Sequence, residues 1–302
     1  MKLGDFEEEM MKGFKVAITA LATTALAGAA QAITWGQPDE DDHPQVVNLI
    51  FVQNGEGYYS CTGTLLTPYV VLTAGHCTEG AGQANDFTWV RNDSDLDLAF
   101  ATERPSYANT RAWLDATWTK GQAVPHPNFD DYAEFPNTYD IGVILLDTPI
   151  NLPAGASYGQ LPTLRQFDFL ATARGPISKR SAAVVGYGLQ GRIPAFAADY
   201  WVRFQGISSV ANLGRGAVLG EQNFQFTNNP GKGSGSGGTC SGDSGGPAFW
   251  IDPATGMETN IVMAVNSYSI TPQCNGTDYQ FRTDIETAQD FVRPYLTWTP
   301  TP

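Results

Sequence analysis

Gly242-Asp243-Ser244-Gly245-Gly246-Pro247, read together with Thr73-Ala74-Gly75-His76-Cys77 far upstream, constrains this chain more than any other stretch. A serine set among glycines can sit on a tight turn with its hydroxyl presented, and a histidine elsewhere can take its proton. The chain has 3 histidines, His43, His76 and His126, and all of them precede Ser244.

That order separates two chemistries. Gly242-x-Ser244-x-Gly246 also satisfies the nucleophile elbow of α/β-hydrolases, but those enzymes take their histidine from a position after the serine. Nothing after Ser244 can serve. An order of histidine, acid, serine remains, with the acid between His76 and Ser244.

The 302 residues fit one large or two smaller domains and can bury a sizeable core. With 32 Gly, 19 Pro and only 16% charged residues, the composition suits an all-β protein with many turns. Apolar runs at 46–52, 69–73, 141–146, 182–186 and 261–265 are bounded by Gly, Pro, Asn and Asp, a pattern of barrels or sandwiches. One helix is expected near the C-terminus. Thr283-x-x-Glu286 forms a capping box, Ile285, Ala288 and Val292 recur at helical spacing, and Pro294 disturbs its end. Residues 83–120 (with Trp89, Trp113 and Trp118) and 196–226 carry no motif, and 228–238 is a Gly/Ser-rich loop leading into Cys240. The net charge of −14 argues against a nucleic-acid partner and reads as solubility.

Lys12 and Lys15 precede an apolar, small-residue-rich run, 16–30, which ends Ala30-Gln31-Ala32. This is the pattern of a bacterial-style secretory signal peptide over 1–32, cleaved after Ala32. The run is too short and too rich in Ala and Thr to anchor the chain stably in a membrane. Asp5 and Glu7-Glu8-Glu9 are acidic where a leader should be basic, so translation is expected to start at Met10 or Met11. The destination is extracellular or periplasmic.

Four cysteines in an exported chain favour two disulfides, with three possible pairings. The pairing Cys61–Cys77 with Cys240–Cys274 would staple the His76 and Ser244 segments separately. No C-x-x-C or His-x-x-His spacing exists, so no metal site is implied. His43 lies in the acidic stretch Asp39-Glu40-Asp41-Asp42-His43-Pro44, read as a solvated turn without a calcium-ligand loop, and His126 lies between Pro125 and Pro127 in an extended loop. Neither is a candidate base.

Together these strings resemble the chymotrypsin/trypsin-like serine protease family over nearly all of 33–296. The resemblance implies an all-β fold of two antiparallel six-stranded β-barrels with the active site between them and a C-terminal helix. The N-terminal barrel would span about 33–155, the C-terminal barrel about 156–284 and the helix about 285–296. Tyr139-Asp140-Ile141-Gly142-Val143-Ile144-Leu145-Leu146 is similar to the family's Asp-Ile-Ala-Leu segment, and it follows His126-Pro127-Asn128-Phe129, similar to His-Pro-x-Tyr. Asp140 is thereby identified as the third catalytic member. The implied roles are His76 as base, Asp140 as its orienting anion, Ser244 as nucleophile forming an acyl-enzyme, and the N–H groups of Gly242 and Ser244 as the oxyanion hole.

Ile33-Thr34-Trp35-Gly36 resembles the family's Ile-Val-Gly-Gly start. The resemblance implies that the Ile33 amine pairs with Asp243, so that leader removal itself would activate the enzyme. It places the specificity-pocket floor six residues before Ser244, at Gly238. Gly238 and Thr239 carry no charge, and Ser267-Tyr268-Ser269 is similar to the family's Ser-Trp-Gly wall. A small or apolar residue before the scissile bond is therefore expected, not Lys or Arg. The expected function is a secreted serine endopeptidase without a cofactor, acting on protein or peptide substrates, with a proteinaceous inhibitor as a further partner to look for. A catalytically silent binding module and an esterase are the alternatives; the presence of all three catalytic residues weighs against the first, and the histidine order against the α/β-hydrolase form of the second.

Overall fold

Short, β-branched runs broken by turns leave unpaired edges unless the sheet closes, and closure is the solution adopted here twice. The computed structural model describes residues 33–53, 56–79, 87–171, 179–190, 201–213, 220–228, 237–271 and 273–301. The expected leader, 1–32, and most of the Gly/Ser loop, 229–236, lie outside the described residues.

The first barrel follows a two-residue strand, β1 (Gln37–Pro38). Its strands are β2 (Val46–Gln53), β3 (Glu56–Thr67), β4 (Val70–Thr73), β5 (Thr88–Arg91), β6 (Thr119–Pro125) and β7 (Gly142–Leu146), closed in the order β2-β3-β4-β7-β6-β5. The second uses β8 (Ser181–Gly186), β9 (Phe204–Leu213), β10 (Asn223–Asn228), β11 (Pro247–Asp252), β12 (Met257–Ser269) and β13 (Gly276–Arg282). It runs β9-β10-β13-β12-β11-β8 and is closed by β8 pairing with β9. All strand pairs are antiparallel. The fold is therefore all-β, two six-stranded barrels. The leading β1 sits on neither neighbour in sequence: it adds to β9 of the second barrel, with Gln37 opposite Gln205.

The core of the first barrel is continuous with side chains of the second, among them Val185, Phe249 and Phe281, while a separate cluster fills the rest of the second barrel. Val46, Leu49, Leu65, Val71, Ile144 and Leu146 are among those packed in the first, and Phe224, Phe226, Ala248 and Met263 in the second. The stretch without a motif, 83–120, yields two further helices, α1 (Leu96–Thr102) and α2 (Thr110–Thr117). Each is capped by an Asx side chain: Leu98 N–H donates to Asp95 at 2.8 Å, and Ala112 N–H donates to Asn109 at 2.9 Å. They bury Trp113 against Trp118, edge to face.

The C-terminal helix is shorter than expected. α3 spans Glu286–Val292, and Arg293–Thr297 continues as a 3-10 turn that accommodates Pro294 near its start. The capping box does not form. The Thr283 hydroxyl donates to the Val262 carbonyl instead, and Ile285, which caps the helix, has no side-chain bond to offer.

His43 also departs from expectation. It is buried, its ring stacks on Phe249 at 5.5 Å, Nδ1 meets Asp39, and Nε2 lies 2.6 Å from Glu258. Asp39 is in turn 2.6 Å from the buried Arg203 guanidinium. The acidic stretch is read correctly as a turn, but one whose first acid and last histidine point into the protein.

Candidate active site

β4 and β7 are paired with Thr73 opposite Gly142, and this register brings together residues far apart in sequence. His76 sits on the 3-10 turn Gly75–Cys77 just after β4, and Asp140 just before β7. The His76 backbone N–H donates to Asp140 Oδ1 at 2.8 Å, and its ring Nδ1 lies 3.0 Å from Oδ2. Asp140 is fully buried and also accepts the hydroxyls of Ser267 and, at 2.9 Å, Tyr132. Burial opposes its charge, but the His76 charge and hydrogen bonds, with the Ser267 hydroxyl, win, holding its carboxyl below the ordinary value. Burial likewise pulls His76 down; the Asp140 charge and hydrogen bond, with Asp131 beyond, bring it above its ordinary value. With Nδ1 engaged, Nε2 is the nitrogen left for other work.

Ser244 lies on the turn before β11, where backbone sterics demand glycine. Gly245 has φ +80, and a Cβ there would fall 2.0 Å from Thr73 Oγ1. The turn is bonded to both barrels: Thr62 N–H of β3 donates to the Ser244 carbonyl at 2.8 Å, and Gly245 N–H donates to Asn266 of β12 at 2.8 Å. His76 and Ser244 line one cleft of about 380 Å³, with Tyr59, Glu79, Asp131 and Tyr132 around them. The Ser244 hydroxyl has no hydrogen bond to His76 among the described contacts; such bonds commonly tighten only when substrate arrives. Neither the Gly242 nor the Ser244 N–H donates to another described residue.

A second cavity of about 230 Å³ opens from Ser244 and is lined by Thr239, Ser241, Ser267, Tyr268 and Ser269, with the Cys240–Cys274 disulfide at its side. Of the expected pocket residues, Gly238 alone is outside this lining. It bridges to Thr34, and a Cβ on it would meet Asn228 Oδ1 at 1.8 Å. Sequence reading missed Asp278, buried beneath Thr239. Thr239 N–H donates to Asp278 Oδ2 at 3.2 Å, its hydroxyl donates to the same oxygen, and Oδ1 has no partner among the described residues. Burial pushes this carboxyl up to about 6. Only its register opposite Ser269 across β12 and β13 could have found it.

Asp243 and Ile33 are both buried, but no bond between them is found among the described residues. Ile33 is internal to this chain, so its nitrogen is an amide. Asp243 accepts Gly188 N–H at 2.8 Å and Cys240 N–H at 2.9 Å. Burial, outweighing these donors and helped by the Asp278 charge, pushes Asp243 up to about 7. The second disulfide joins Cys61 of β3 to Cys77. The sulfurs of Cys61 and Cys77 lie within 4.8 Å of a His76 nitrogen, but bonded to each other they offer no thiolate to a metal.

The Trypsin family profile matches residues 33–292. Among curated relatives, the chain is 26% identical over 284 residues to a chymotrypsin of Phaedon cochleariae, covering 88% of this chain and 84% of the relative. It is 28% identical over 192 residues to the brachyurin of Leptuca pugilator, covering 63% of this chain and 70% of that protein. A solved structure of HL collagenase superposes with a TM-score of 0.60 at 17% identity, covering 89% of this chain and all of that one, a likeness of fold. The chain belongs to the trypsin family and is a serine endopeptidase of the chymotrypsin type.

Proposed function

We propose that the chain is a secreted endopeptidase that cleaves peptide bonds through Ser244, His76 and Asp140. The observation that carries this reading is the His76 ring held 3.0 Å from a fully buried Asp140, in the same cleft as Ser244. His76 Nε2 takes the Ser244 proton as the hydroxyl attacks the carbonyl, then returns it to the leaving amine. Asp140 holds the tautomer and offsets the imidazolium charge. The Gly242 and Ser244 N–H groups receive the oxyanion, each worth about 3–4 kcal/mol in a comparable enzyme.

Leader removal after Ala32 would give Ile33 a free amine beside a region already prepared for it. Ile33 is buried, Thr34 is bridged to Gly238, and Asp243 is a buried carboxylate without a described cation. The two disulfides suit an oxidising destination, and no described helix is long and apolar enough to cross a membrane. The cavity beside Ser244 would take a small or apolar side chain, and a proteinaceous inhibitor would occupy the same cavity.

The test is intact mass before and after a fluorophosphonate probe, with Ser244→Ala as control. One adduct on the wild type and none on Ser244→Ala is expected; no adduct on a correctly processed chain would instead indicate a silent binding module. A library of peptides varied at the residue before the scissile bond then tests selectivity. Cleavage after Lys or Arg would overturn the expected preference and bring Asp278 into the pocket's chemistry.

A further inference from the structure

Tyr132 lies eight residues before Asp140 on the loop that crosses toward the second barrel, and three observations single it out. Its hydroxyl is 2.9 Å from Asp140 Oδ2 and 3.1 Å from His76 Nδ1. Its backbone is left-handed, φ +64, directly after Asp131 at φ +54. Such a conformation is costly for a bulky residue and persists only where its surroundings enforce it. Those surroundings are visible: Ala133 N–H donates to Asp130, Tyr139 N–H donates to Gln222, and the ring packs edge-on against Phe129 and Tyr268.

We infer that Tyr132 is a positioning residue of the active site, its hydroxyl fixing both the Asp140 carboxylate and the His76 tautomer. The proton assignment follows from the partners. An ionised carboxylate only accepts, so the tyrosine O–H donates to Oδ2. The tyrosine oxygen then has lone pairs facing Nδ1, which suits Nδ1–H and leaves Nε2 as the base. Donation also draws charge away from Oδ2, moderating the pull of Asp140 on the imidazolium. Ser267 supplies the other hydroxyl to Oδ2. The charged groups facing this cluster are His76 and Asp140 themselves, Asp131 on the same loop and Glu79 after the histidine turn, while β12 contributes the uncharged Tyr268.

The inference rests on the proposed Ser244, His76 and Asp140 assignment. Its test is Tyr132→Phe, which keeps the ring that walls the cleft and removes only the hydroxyl. The expected result is a kcat lower by about tenfold, the scale of one partly lost charge-assisted hydrogen bond, with KM changed by less than about twofold. The acidic limb of the kcat/KM pH profile should move to higher pH, because Asp140 relieved of a donor holds the imidazolium more strongly. A purely structural residue would not move that limb. As a second variant, 3-fluorotyrosine at position 132 leaves the fold intact and strengthens the donor, so the limb should move to lower pH. An unshifted limb in the fluorotyrosine enzyme overturns the inference even if Tyr132→Phe fails to fold; unshifted kcat and limb in folded Tyr132→Phe overturn it too. If the wild type does not react with the fluorophosphonate probe, the catalytic assignment fails first.

Discussion

Asp140 keeps a negative charge out of reach of water because donors from four places converge on it: the His76 backbone and ring, Ser267 of β12 and Tyr132 of the crossing loop. An amide in its place preserves shape but offers Nδ1 an N–H as readily as an oxygen, and so turns the imidazole the wrong way. Asp140→Asn is therefore expected to lower kcat by about 10⁴-fold, the loss this family shows for that change, with little change in thermal midpoint. Peptide turnover and melting measured on one preparation check both halves. His76, Asp140 and Ser244 could be picked out in the chain because each lies within a short characteristic string. Tyr132, Asp278 and His43 could not. The His43 partner Glu258 is 215 positions away, Asp278 meets Thr239 across 39, and Tyr132 reaches Asp140, only eight residues on, through a left-handed loop that no local pattern announces.

Strands were easier to read than helices, for a physical reason. Buried barrel strands are near-continuous β-branched runs, and the expected 46–52, 69–73, 141–146 and 182–186 fall within a residue of β2, β4, β7 and β8. α1 and α2 are 7 and 8 residues long, too short for a helical period to declare itself, and only their Asx caps mark them. The turn between β1 and β2 teaches the opposite lesson: Glu40, Asp41 and Asp42 are exposed as expected, but Asp39 and His43 turn inward and join Arg203 and Glu258 in an ionic cluster. Burial depresses the His43 pKa, but the bonds to Asp39 and Glu258 overcome it and bring His43 up to about 9. A histidine raised on folding stabilises fully below its unfolded value of about 6.5 and loses that contribution as pH rises through about 9. His43→Gln removes the imidazolium from Asp39 and leaves Arg203 as its charged partner, and it should cost about 3–5 kcal/mol and flatten the alkaline fall in stability. Denaturant midpoints at pH 6 and pH 10 measure this; a wild-type midpoint unchanged between them would dismiss the charged cluster.

The two barrels meet at the Ser244 turn, and under the proposed activation the buried Asp243 beside it would tie the state of the N-terminus to the stability of the whole. With residues still preceding Ile33, the Asp243 carboxyl is held near 7 against an unfolded value near 4. The folded chain then binds more protons at this group across that window, so the Asp243 contribution to stability falls as pH rises from about 4 to about 7 and is level above. A free Ile33 amine beside Asp243 would lower that carboxyl and remove the fall. Asp278, held up to about 6, adds a fall in both forms, so the difference between forms isolates Asp243. Thermal midpoints of a chain starting upstream of Ile33 and one starting at it should diverge toward pH 7; parallel curves would separate Asp243 from the N-terminus.

The pairing of β1 with β9 has a consequence for how the protein is made. A ribosome releases Gln37 long before Gln205 exists, so the first barrel can close while the segment ahead of it still dangles. That segment must wait, unpaired and open to cleavage, for the second half of the chain to emerge. Its docking is thus a late event of synthesis, and a nascent chain ending after the first barrel, at about residue 155, should show 33–45 as a protease-sensitive stretch ahead of the closed barrel.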